Sequence, residues 1–315
     1  MEPGGGRAAV RQPVALKRGG SSSLFVLAKR LTCGGRGAYD LDGIRAGERR
    51  GVFAFEKKFR KNSRVCGERN RVMERVDKRK PDELRPVSIE TDYTEYAGGS
   101  VLICCGKTRV LCTAMVEDKV PPFLTGSGRG WLTAEYAMLP SATPQRKKRE
   151  NYKNGPDGRS TEISRLIGRS LRCAVKLSEL GERTVKVDCD VLQADGGTRT
   201  ASITGGYVAV ALALSRLGLS GALKQNVAAV SVGVVKDQPM LDLCYVEDSG
   251  ADADVNLVMS GAEFVEVQGT GECRPIEKEE LLELISLGEA GIMRLYALQN
   301  AAIEQALAAG KDEEK

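Results

Sequence analysis

From Met73 onward the apolar positions fall into short alternating runs and longer helical stretches. Val101–Cys105 and Thr108–Val116 read as two strands separated by Gly106-Lys107, a hairpin signal. Residues 119–130 read as a loop, with Pro121-Pro122 and three glycines, and Gly130–Leu139 as a further strand. Residues 144–159 are polar and basic, with Arg146, Lys147, Lys148, Arg149 and Lys153, and suit a mobile surface loop. The 3.6-residue spacing of Ile163, Leu166, Ile167, Leu171 and Val175 predicts a helix capped by Ser160 or Thr161, with Glu162 in its first turn, stopping near Gly181.

A strand-like run (Val185, Val187, Val191, Leu192) then leads into Ala194–Gly206, and an apolar helical stretch, Tyr207–Leu217, leads out. Val227–Val235 and Met240–Val246 read as paired strands joined near residues 236–239. Val255–Met259 and Phe264–Val267 are two shorter runs. Glu277–Ala309 is a long amphipathic helix with Gly288 and Gly291 as possible breaks. There is no internal repeat of 20–50 residues, so a solenoid is excluded. This order of elements predicts a mixed α/β or α+β domain.

Residues 1–72 are different. They are rich in Gly, Arg and Ser and hold no sustained period. They carry 17 Lys/Arg against 6 Asp/Glu, whereas residues 73–315 carry 30 against 36. The net charge of +5 therefore belongs to the leader, and an RNA site in the main domain must be a local basic patch. A basic disordered arm, a targeting peptide (no acid occurs from Pro3 to Tyr39) and translation starting at Met73 are the three readings. No run approaches the roughly 18 apolar residues of a membrane span.

The chain has no histidine. That excludes histidine bases, histidine-activated nucleophiles and histidine metal sites. Its nine cysteines contain no C-x-x-C pair, which disfavours zinc. An odd number in core-like positions suits a reducing cytosol. Chemistry must then run on carboxylates, arginines, lysines and metal ions.

Two constellations stand out. In Ala194–Gly206, paired glycines at a strand-to-helix junction are followed at once by Arg199. Helix N-termini favour anions, and a guanidinium adds a fork for phosphate oxygens. An ordinary glycine turn is the competing reading. The second is Glu247-Asp248-Ser249-Gly250-Ala251-Asp252-Ala253-Asp254, four acids in eight residues. They suit a hard cation such as magnesium, or else form a solvated acidic turn. Arg165, Arg169 and Arg172 share one helical face and read as a solvated or salt-bridged stripe. Trp131 and Tyr136 read as core or subunit packing, with base stacking as the alternative.

The stretch from Met73 to about Ala309 resembles the ribonuclease PH family, phosphorolytic 3′-to-5′ exoribonucleases that trim transfer RNA precursors. The resemblance rests on five runs in the family's order: Glu83-Leu84-Arg85-Pro86, Gly130–Tyr136, Arg165-Leu166-Ile167-Gly168-Arg169, Asp188–Thr200 and Val265–Thr270. It implies an α+β domain over residues 73–315, built of two β-α-β halves with a long C-terminal helix. It leaves residues 1–72 as an unstructured basic leader or a misassigned start. It implies that Arg159, Gly197, Thr198 and Arg199 hold the attacking inorganic phosphate. Asp248 and Asp254 become the acidic catalytic residues and the magnesium ligands. Arg146 and Arg149 fall in a mobile loop associated with RNA. The arginine many relatives carry after Leu139-Pro140 is Ser141 here, which weakens the transfer in that loop. A cytoplasmic homohexameric ring, a trimer of dimers with no membrane partner, is implied as well. The competing class is a non-catalytic RNA-binding ring subunit. Arg159, Arg199, Asp248 and Asp254 occurring together favour the enzyme.

Overall fold

The computed structural model describes residues 74–149 and 157–313. The leader, Met73 and Lys153 lie outside the described residues.

The Gly106-Lys107 turn joins β2 (Gly99–Cys105) to β3 (Thr108–Glu117), with Cys105 opposite Thr108. With β1 (Val87–Thr91), β4 (Trp131–Met138) and β5 (Thr184–Gln193) they form a sheet in the order β1-β2-β3-β5-β4. Only β4 and β5 are parallel in it, and the helix α1 (Gly158–Cys173) makes the crossover between them. Strand period does the sorting: Val185, Val187, Cys189 and Val191 are buried, while Lys186 and Asp190 face out. The second sheet, order β7-β6-β8-β9, is antiparallel throughout: β6 (Val227–Val235), β7 (Gln238–Leu241), β8 (Ala253–Ser260) and β9 (Glu263–Gly271).

Between the sheets runs α2 (Thr198–Arg216), with every residue from Thr200 to Leu214 buried. A helix apolar on all sides belongs inside a core. The helix α4 (Lys278–Glu313) covers the other face of the second sheet, its Leu284, Ile292 and Leu295 against Val230, Val232 and Leu257. Strand β6 is therefore buried on both faces.

Several boundaries differ from the sequence reading. The helix α1 starts with Asp157 as N-cap, so Ser160 and Thr161 lie inside its first turn, and it ends at Cys173. Val175 instead bridges to Leu223. The helix α2 begins at Thr198, nine residues before the apolar stretch at Tyr207. Strand β7 stops at Leu241, and Tyr245–Asp248 forms a single helical turn, α3. The helix α4 is unbroken, because Gly288 and Gly291 sit where Leu257 and Leu241 press against it.

The two-sided burial of α2 demands close approach. A methyl on Gly99 would lie 2.0 Å from the Ala209 carbonyl oxygen, a backbone atom of α2. Gly99→Ala should cost at least about 2 kcal/mol in denaturant unfolding, since overpacking against backbone cannot relax by rotamer change. Gly310→Ala, with nothing within 4 Å, should be neutral or gain up to about 1 kcal/mol from helix propensity. Equal effects of the two substitutions would contradict this packing.

Candidate active site

Strand β5 delivers the chain to Asp195, and Gly196 and Gly197 turn it into α2 at φ 76° and 65°. Both lie in the left-handed region where glycine carries no penalty. Space forbids a side chain as well: a Cβ on Gly196 would lie 2.7 Å from the Leu243 carbonyl oxygen, and one on Gly197 2.9 Å from Arg85 Nη2. The Thr108 hydroxyl pins the turn, donating to the Gly196 carbonyl (2.7 Å) and accepting the Asp195 N–H (2.9 Å). Gly197 is the N-cap and has no side chain to satisfy the first N–H groups of α2. Those donors point outward with the helix dipole behind them.

Thr198 is buried and shares a 2.8 Å hydrogen bond with the Tyr136 hydroxyl of β4. Tyr136 is thus a core residue with a polar tip, 5% exposed, and no stacking platform. Arg199 follows, half-buried, its Nη1 donating to Gln268 Oε1 of β9 (2.7 Å), while Gln268 Nε2 donates to Glu162 Oε1 of α1 (3.1 Å). Glu162 is therefore engaged by Gln268. Arg159, in the first turn of α1, is exposed and its charge acts on Asp248 and Tyr136.

The second sheet supplies the carboxylates. Asp248 closes the α3 turn, and Asp254 lies near the start of β8, opposite Gly233 of β6 and Thr270 of β9. Burial raises the Asp248 carboxyl above its ordinary value, against the lowering charges of Arg159 and Arg199. Asp254 is pushed up to about 6, first by burial and then by the neighbouring Asp248 charge. Its Oδ2 accepts from Asn256 Nδ2 at 3.3 Å, and its Oδ1 is buried without a hydrogen-bond partner. Two raised carboxyls on one wall of a cleft, one beside the other, are a setting that a cation would relieve. The donor set fits magnesium, which takes one or two carboxylates and fills its remaining positions with water or phosphate oxygens. No group of three or more ligating side chains occurs among the described residues.

Arg146, Arg159, Gly197, Thr198, Arg199, Asp248 and Asp254 line one open cleft of about 1410 Å³. Arg149 is exposed in the same basic segment but is not among the lining residues. The four-acid reading divides. Glu247 turns inward to Arg75, and Asp252 accepts backbone N–H of Asp237. Only Asp248 and Asp254 face the cleft. The arginine stripe divides too: Arg169 pairs with Glu266, and Arg172 lies 4.8 Å over the Trp131 ring. Sequence reasoning missed Gln268, Asn256 and Glu272. The last lines the cleft and raises both aspartates. Gln268 stood inside the Val265–Thr270 run, but a lone glutamine carries no chemical signal.

The raised Asp254 carboxyl has a stability consequence. Its folded value of about 6 exceeds the ordinary 3.8, so its burial is unfavourable above pH 6 and the penalty vanishes below about 4. In chelator, Asp254→Asn should stabilise the fold at pH 8 by on the order of 1–2 kcal/mol, discounted for partial exposure. The gain should fade as pH falls from 6 to 4 in thermal melts. A pH-independent effect would contradict the shift.

Residues 83–216 match domain 1 of the 3′ exoribonuclease family, RNase PH, and residues 225–291 match its domain 2. Ribonuclease PH of Crocosphaera subtropica is 54% identical over 239 residues, covering 74% of this chain and 99% of that protein. Ribonuclease PH of Corynebacterium diphtheriae is 55% identical over 236 residues, covering 73% and 98%. Among solved structures, the Archaeoglobus fulgidus exosome with RNA bound to the active site superposes with TM-score 0.61 at 24% identity, covering 77% of this chain and 95% of its own. Rice Rrp46 superposes with TM-score 0.60 at 19% identity, covering 73% and 100%. These two share the fold. An uncapped helix N-terminus facing paired carboxylates, both family domains and this identity across nearly whole relatives place the chain in the ribonuclease PH family.

Proposed function

We propose that this chain is a phosphorolytic 3′-to-5′ exoribonuclease that trims transfer RNA precursors, with inorganic phosphate as nucleophile. The observation that carries the reading is one cleft holding an open helix N-terminus with Arg199 on one wall and Asp248 with Asp254 on the other. One wall suits an anion and the other a cation.

Phosphate attacks the last phosphodiester: a bond forms from its oxygen to the diester phosphorus, the bond to the 3′ oxygen breaks, and that oxygen takes a proton. The products are a nucleoside diphosphate and an RNA one residue shorter. Inorganic phosphate titrates near neutral pH, somewhat above its esters at about 6, so a substantial share is already dianionic and it needs no strong base. A chain without histidine is therefore not handicapped. The problem is bringing two anions together. Arg159, Arg199 and the N–H groups after Gly197 would hold the nucleophile and offset its charge. Fixing it in line with the diester supplies proximity. Asp248 and Asp254 would hold Mg²⁺, which, when bound, neutralises charge on the scissile phosphate. Either carboxyl, where it is protonated instead of holding the cation, suits delivery of the proton to the departing oxygen. Arg146 and Arg149 would guide the RNA backbone towards the cleft.

The ring, a trimer of dimers, belongs to this reading and is supported by the fold shared with exosome subunits. A reducing, cytoplasmic setting is supported by the free cysteines, seven among the described residues. No described helix is long and apolar enough to cross a membrane.

The test is a transfer RNA with extra 3′ nucleotides, incubated with magnesium, with and without phosphate. Phosphate-dependent shortening is expected. Shortening without phosphate, or RNA bound and never shortened, would contradict the reading. Arg199→Ala should raise the phosphate KM about 10-fold or more with RNA affinity largely kept. Asp254→Asn should lower kcat by about 1000-fold with the assembly intact. Near-normal turnover in Asp254→Asn would remove that residue from the mechanism.

A further inference from the structure

The N-terminal segment before β1 carries three arginines whose side chains are almost wholly buried: Arg75, Arg79 and Arg85, at 0%, 7% and 3% exposed. Charged groups are buried only when paired and hydrogen-bonded, so the partners identify their task. Arg75 makes a two-point contact with Glu247, Nε to Oε1 at 2.8 Å and Nη2 to Oε2 at 2.6 Å. Its remaining donors reach the Leu241 carbonyl (2.8 Å) and the Asp242 carbonyl (3.0 Å). Glu247 also accepts the Cys244 N–H (3.0 Å). Burial acts to raise the Glu247 carboxyl, but the Arg75 hydrogen bonds, the Cys244 N–H and the Arg75 and Arg79 charges hold it below its ordinary value. Glu247 is the residue before Asp248, in the same single turn α3.

Arg85 makes the matching contact with Asp242. Its Nε donates to Oδ2 at 3.0 Å, its Nη2 to Oδ1 at 2.7 Å, and its backbone N–H to Oδ2 at 2.8 Å. Its Nη1 then reaches the Asp195 carbonyl at 2.6 Å, at the root of the Gly196–Gly197 turn. Asp242 sits at φ 55°, a left-handed conformation retained where surrounding contacts over-determine it. Arg79 Nη2 donates to the Asp242 carbonyl at 3.1 Å. One short segment therefore grips both walls of the cleft. The walls also touch directly, since the Gly196 backbone packs on Leu243–Tyr245.

We propose that Arg75 and Arg85 are positioning residues for the reaction, Arg75 fixing Asp248 through Glu247 and Arg85 fixing the phosphate-holding turn through Asp242 and Asp195. This rests on the reading above that the turn holds phosphate and Asp248 acts in turnover. It accounts for the Glu83-Leu84-Arg85-Pro86 run, which is not among the residues lining the cleft. A buried pair that only stabilised the fold would lower the apparent kcat through the amount of folded enzyme and would leave the phosphate KM unchanged. Positioning separates them, because the two arginines act on different walls.

Steady-state kinetics with phosphate varied at saturating RNA tests the separation, on full-length protein checked for assembly and melting temperature. Arg85→Lys keeps the charge but loses the fork that spans Asp242 and Asp195. It should raise the phosphate KM about 10-fold with kcat within about 3-fold. Glu247→Gln keeps the volume but loses the charge that fixes Arg75. It should lower kcat about 10-fold with the phosphate KM within about 2-fold. Should Arg85→Lys fail to assemble, Asp242→Asn takes its place with the same expectation. Both parameters unchanged per folded, assembled enzyme, or a kcat loss that only matches the lost folded protein with the phosphate KM unchanged in both variants, would overturn the proposal. Absence of phosphate-dependent shortening by the unaltered protein would instead overturn the functional reading, and this proposal with it.

Discussion

The structure depends on one demand: α2 must start at the floor of a cleft with its first N–H groups unfilled. A helix usually ends such donors in a side-chain cap or in water. Here the cap is Gly197, and the rest of the helix is buried between two sheets. The open end is therefore held in place by the whole core and cannot swing away to find other partners. The glycines, the Thr108 hydroxyl, the Tyr136–Thr198 contact and the Arg85 guanidinium all serve to fix it. An anion brought there meets donors that need no reorganisation.

The opposite wall follows a complementary logic. Asp254 is costly where it stands, with one oxygen buried and unpartnered and a second carboxylate nearby. Such a group persists when the free energy it costs is recovered on binding a cation. The sheet order lets the two walls meet. Strand β5 leads into α2 from the first sheet, β7 and β8 flank α3 from the second, and the N-terminal segment ties the junctions together.

Much of this was legible in the sequence. The Gly106-Lys107 hairpin, β5 and the paired glycines announce themselves because period two and turn chemistry are local properties. The phosphate wall was readable as a strand-to-helix junction followed by arginine. The start of α2 was less visible, because Thr200, Ser202 and Thr204 look like surface residues. Each is buried with its hydroxyl satisfied, Ser202 on the Thr198 carbonyl and Thr204 on the Ala229 carbonyl. The end of β7 at Leu241 was hidden for a different reason. Arg75 takes the Leu241 carbonyl and Arg85 the Asp242 side chain, contacts more than 150 residues apart that no local pattern reports. The same distance hid the role of Glu247, which by composition alone looked equivalent to Asp248.

The central claim is that the open end of α2 holds phosphate as the attacking group. Trimming a 3′-extended transfer RNA in isotopically labelled inorganic phosphate tests it most directly. The account predicts label in the β-phosphate of every released nucleoside diphosphate. Unlabelled nucleoside monophosphates would mean that water is the nucleophile, and would contradict it.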